Sequence, residues 1–137
     1  MSRVLRSLAL VAVLPWLVAC ENSATAYMVD GNQHALILVR EQPYFWTADV
    51  EQALIVSRLP ACQRKVRIHP SSTAMVEVEV YAAGDLLWAL RQGGRWYLAS
   101  TERCLVQDWV NDGGAPGPLV GHFRLKDGKP AFIAAGQ

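Results

Sequence analysis

Charge is scarce in this sequence and close to balanced. Asp, Glu, Lys and Arg together make up 18% of its 137 residues, for a formal net charge of +1. Without an excess of positive charge there is no electrostatic footprint for gripping a phosphate backbone, so no nucleic-acid partner is expected. Cysteine is rarer still, with three residues and no C-x-x-C spacing. His34, His69 and His122 each stand alone in the chain, and isolated histidines beside distant cysteines do not make a zinc-ligand pattern. Also missing are G-x-S-x-G, H-E-x-x-H, G-x-x-x-x-G-K and G-x-G-x-x-G, the marks of activated serines, zinc proteases, phosphate loops and dinucleotide sites. No catalytic residue, metal or cofactor is therefore expected.

No apolar run is long enough to cross a bilayer. The uncharged stretch Leu8 to Cys20 has 13 residues and contains Pro15. As a helix it would measure about 20 Å, against about 30 Å of hydrocarbon. Its flanks give it another meaning. Arg3 and Arg6 precede it, no acid occurs before Glu21, and it closes on Leu17-Val18-Ala19-Cys20. This is the layout of a secretory signal peptide.

Those last four residues resemble the lipobox of bacterial lipoproteins. The resemblance implies cleavage before Cys20, a diacylglycerol on its thiol and often a further acyl chain such as palmitate on the new amine. Two or three acyl chains hold a protein stably where one binds marginally, so a membrane is the first partner implied. The expected layout is a signal peptide over 1–19, a lipidated polar tether over 20–26 and a single β-rich domain over 27–137. Glu21, not aspartate, follows the cysteine. In enterobacterial lipoproteins an aspartate there signals inner-membrane retention, so the expected place is the periplasm-facing cell envelope, with the outer membrane favoured. Cleavage removes two arginines and no acid, leaving 11 basic and 12 acidic side chains.

In that oxidising compartment Cys62 and Cys104 form an even pair, and a disulfide between them is expected. The rest of the chain reads as short strands between turns. Tyr27-Met28-Val29 and Ala35 to Arg40 flank Asp30-Gly31-Asn32. Met75 to Tyr81 places Val76, Val78 and Val80 on one face, with Glu77, Glu79 and Tyr81 on the other. Leu86 to Arg91 and Arg95 to Ser100 form a hairpin around Gln92-Gly93-Gly94, and Leu119 to Leu125 with Pro130 to Ala134 form another around Asp127-Gly128. Asn111 to Pro118 is a loop. Eight or so strands at this spacing predict a mainly β fold, a small antiparallel sandwich or barrel. The alternative is an α+β fold with a helix near 47–59; the shortness of Ala53 to Leu59 and its β-branched residues favour a strand there.

Two features suit a binding surface. Tyr44-Phe45-Trp46 follows Pro43, and three consecutive aromatics cannot all enter one core from a strand, so at least one should face outward. Arg64, Lys65 and Arg67, with Arg58 nearby, form a basic cluster around Cys62 suited to anionic head groups or an acidic partner. Glu77 and Glu79 share a strand face, which would allow a carboxylate pair for acid–base work, but two solvated acids on an exposed strand face are the favoured reading. Pro43 to Trp46, Pro60 to Cys62 and Arg95 to Ser100 resemble segments of small proteobacterial lipoproteins of uncharacterised role, a likeness that implies no activity. Periplasmic lysozyme inhibitors share the architecture alone, and fold does not carry function. The expected function is a non-enzymatic, lipid-anchored envelope protein that binds a protein or glycan; a cell-wall enzyme or a carrier of a small apolar ligand is the alternative.

Overall fold

Alternation of apolar and polar side chains builds ten strands. The computed structural model describes residues 20–137; the signal peptide expected over 1–19 lies outside them. The strands are β1 (Asn22–Asp30), β2 (His34–Glu41), β3 (Asp49–Arg58), β4 (Cys62–Ser72), β5 (Val78–Gly84), β6 (Leu87–Gln92), β7 (Arg95–Ser100), β8 (Leu105–Trp109), β9 (Leu119–Lys126) and β10 (Lys129–Ala134). They form two antiparallel sheets, ordered β1-β2-β3-β4 and β10-β9-β5-β6-β7-β8. β1 lies over β10, while β3 and β4 lie over β8, so the sheets face each other as a sandwich and not as a closed barrel.

The segment 47–59 holds strand β3 and not a helix, and no helix occurs among the described residues. Its pattern explains this. Val50, Gln52, Leu54 and Val56 are buried at every second position, a period that suits a pleat and not a helical face. Leu36, Leu38, Leu54 and Val56 meet Val80, Leu90, Tyr97 and Phe123 of the other sheet, and all are buried. Side chains from both sheets thus pack together between them as one core.

The structure corrects three expectations. Asn22 to Ala26 are not a tether. They pair with β2 from Asn22↔Glu41 to Ala26↔Ile37, because Ser23, Thr25, Tyr27 and Val29 alternate inward as one continuous strand. The valine strand starts only at Val78, which leaves Val76 exposed ahead of it. β8 was not foreseen, since Leu105–Trp109 is short and carries Gln107 and Asp108 on its wet edge.

Polar groups also cross the core. Arg40 points inward from β2 with no solvent exposure. Its Nε donates to Glu21 Oε1 at 2.8 Å, Nη1 to Gln52 Oε1 at 2.7 Å and Nη2 to the Ser72 carbonyl at 2.8 Å. Gln52 Nε2 in turn donates to Gln92 Oε1 at 3.1 Å, across to the opposite sheet. A buried guanidinium is tolerated only when its charge and donors are satisfied, so this network locks the register of both sheets at one end.

The other end is held covalently. Cys62 at the start of β4 and Cys104 in the β7–β8 turn form a disulfide across the sandwich, at a sequence separation of 42. Cys62→Ser/Cys104→Ser should lose about 2–4 kcal/mol of stability in denaturant melts. Thiol titration of the unfolded, unreduced wild-type protein should find neither Cys62 nor Cys104 free.

Candidate functional site

Pro43 stops β2, and the chain turns through Tyr44, Phe45 and Trp46 before β3 begins at Asp49. Because the segment is a loop, no alternation sends a ring into the core. Tyr44, Phe45 and Trp46 are 53%, 61% and 68% exposed, so all three face outward where at least one was expected to. They pack on each other instead. Tyr44 stacks on Trp46 with centroids 4.9 Å apart, and Phe45 meets the edge of Trp46 at 5.0 Å. Such pairs pre-order the rings without hiding them from a partner.

The loop is braced from below. Gln42 Nε2 donates to the Thr47 carbonyl at 2.6 Å, which closes the loop's base. The Gln42 backbone N–H donates to the Glu21 carbonyl at 2.7 Å, and the Glu21 N–H donates back to Gln42 Oε1 at 2.9 Å. The aromatic loop is therefore bonded directly to the residue after Cys20. Beside Tyr44 a cleft of about 400 Å³ is lined by Asp49, Glu51, Arg67 and Pro70.

The basic cluster does not form one face. Lys65 and Arg67 project outward from β4, opposite Ile55 and Ala53, whereas Arg64 lies on the inward row opposite Val56 at the exposed sheet edge. Lys65 stands 3.9 Å from Glu41 and Arg67 3.6 Å from Glu51, so acids of neighbouring strands offset their charge. Exposed pairs of this kind contribute about 0–1 kcal/mol. Arg58 is spent elsewhere, donating from Nε to the Thr101 carbonyl at 3.1 Å. A strand's period of two splits the cluster that one-dimensional proximity suggested.

The two carboxylates are likewise engaged separately. Glu77, just ahead of β5, lies against His122 Nδ1. Glu79 on β5 accepts from the Tyr81 hydroxyl, and Arg91 Nε stands 3.2 Å away. That hydrogen bond, with burial and the nearby acid adding to it, raises the Tyr81 phenol above its ordinary 10.0. His122 is thus not isolated, as its sequence position suggested; the β5–β9 pairing brings it beside the acids. His34 Nε2 pairs with Thr101 Oγ1 at 2.7 Å, and exposed His69 uses its backbone N–H toward the Tyr97 hydroxyl at 3.0 Å. Among the described residues no group of three or more His, Cys, Asp or Glu side chains converges where a metal could sit. Trp88 and Trp96 are nearly covered, the first against Tyr27 and His34, the second against Tyr81, Trp109 and Arg91.

What the sequence did not reveal is the place of Glu21 and Gln42. Both read as polar punctuation, and only strand pairing makes them the braces of the loop. Truncating the rings should separate surface from core. Tyr44→Ala, Phe45→Ala and Trp46→Ala should each leave the denaturation midpoint close to wild type, whereas Phe123→Ala should lose about 3–5 kcal/mol. A collapse of all three loop variants in melts would show the rings to be structural.

No family model, curated protein or solved structure matches the chain.

Proposed function

We propose that this chain is a lipid-anchored protein of the bacterial cell envelope that works by binding and not by catalysis. Cys20 carries the lipid, the domain faces the periplasm, and the outer membrane is favoured over the inner. Support for the anchor comes from the charge, length and lipobox-like end of residues 1–20. The described part adds no helix long and apolar enough to span a membrane.

The observation that carries the binding reading is the exposure of Tyr44, Phe45 and Trp46 on one braced loop. Leaving three rings in water forfeits burial worth about 1.5–3 kcal/mol for a ring such as Phe45, a cost that makes sense where the rings are covered by something else. A protein segment, a glycan or a lipid interface all take aromatic contacts of this kind. The alternative, a cell-wall enzyme using Glu77 and Glu79, has less behind it, because Glu77 lies against His122 while Glu79 is held by Tyr81 and Arg91.

Lipidation is the first test. Cys20→Ser removes the only atom that can form the thioether, so the variant should show no lipid mass, should accumulate uncleaved and should not be recovered as a mature membrane-bound chain. Normal cleavage and membrane fractionation of Cys20→Ser would contradict the anchor.

A further inference from the structure

Nine large apolar side chains are exposed among the described residues, and six of them gather at one end of the sandwich. Tyr44, Phe45 and Trp46 lie in the β2–β3 loop, Val76 ahead of β5, Val110 after β8 and Leu125 beside the β9–β10 turn. Strand pairing puts these loops together. Val78 is registered with both Gln92 and Phe123, Trp96 pairs with Trp109, and the Gln52–Gln92 hydrogen bond joins this end of one sheet to the same end of the other.

Cys20 stands at that end too. Asn22 is registered with Glu41, and the Glu21–Gln42 hydrogen bonds tie the residue after Cys20 to the aromatic loop. Across a hollow of about 740 Å³ from Cys20 lie Leu125, Lys129 and Pro130 of the β9–β10 hairpin. The opposite end holds the disulfide and the His34–Thr101 contact.

Resting on the lipid-anchor reading, we propose that this end of the sandwich is a membrane-seating surface. The lipid on Cys20 and the rim of apolar side chains enter one bilayer face, so the domain stands end-on and does not swing from a leash. Three features select a bilayer over a protein or glycan. The apolar groups tip separate loops around a rim, a layout that meets a plane at several points and offers no single continuous patch. Tyr and Trp are the side chains favoured at head-group depth, where one part of the ring is dry and another wet. Exposed Lys126 and Lys129, flanking Asp127 on the hairpin turn, put long apolar stems and ammonium groups at the same level. The anchor also has no slack. A free tether over 20–26 would reach up to about 25 Å, but β1 takes up all of it beyond Glu21.

Photocrosslinking in intact cells tests this on the full, processed chain. Benzoylphenylalanine replaces Trp46 in one version and Asn32, in the turn at the far end, in another; both positions are exposed, so the fold is retained. The mass of each mature chain reports separately whether Cys20 is lipidated. Irradiation should give phospholipid adducts at position 46, several-fold more than at position 32. A lipidated chain that crosslinks at position 46 to protein or glycan, or that yields equal lipid adducts at both positions, overturns the seating proposal while leaving the anchor intact. A mature chain without lipid overturns the anchor and the seating with it.

Discussion

A guanidinium sealed from water has to be neutralised where it sits, and Arg40 is the group around which this sandwich is arranged. Its side chain is fully buried, and its counter-charge comes from Glu21. Because that partner lies ahead of β1, the first strand cannot peel away without stranding a charge in the core. The remaining donors reach Gln52 and the Ser72 carbonyl, so β2, β3, β4 and the segment just ahead of β1 share one set of bonds. Through Gln52 and Gln92 the constraint passes to the six-stranded sheet.

The two ends of the molecule are consequently different objects. One is polar inside and apolar at its tips, with Glu21, Arg40 and Gln52 within and the aromatic loop outside. The other is held by the Cys62–Cys104 disulfide and by Thr101, which His34 and Arg58 reach from the facing sheet. A lipid on Cys20 would join the first end, next to a loop hydrogen-bonded to Glu21. Binding and anchoring then become properties of one surface, because the same Gln42 that closes the loop also holds the residue beside the lipid.

Much of the fold was legible in the sequence because its cause is local. Val78 and Val80 alternate with Glu79 and Tyr81, and Asp127-Gly128 supplies the positive φ angles of a tight hairpin, here 52° and 77°. The disulfide followed from an even pair of cysteines once Cys20 was set aside. What stayed hidden depends on pairing between distant segments. Arg40 reads as the polar end of a strand, Glu21 as tether and His122 as solitary; only the β1–β2 and β5–β9 registers reveal their partners. The basic run is divided for a related reason, since neighbours in sequence at Arg64 and Lys65 lie on opposite faces of β4. The aromatic triplet was expected to turn at least one ring outward, but the number of outward rings and their closeness to Cys20 needed the loop's geometry.

The Glu21–Arg40 pair clamps the segment that follows Cys20 to the domain. A double-mutant cycle on the purified mature chain, read by urea melts, tests it most directly. Glu21→Gln should cost about 3–5 kcal/mol, because it leaves the sealed Arg40 charge without its counter-charge, and Arg40→Met should cost somewhat less, because the Glu21 it strands is only partly buried. The double variant should cost less than their sum by about 2 kcal/mol or more, since it removes both halves of the pair together. Small and additive losses, below about 1 kcal/mol for each change as for an exposed ion pair, would contradict the clamp.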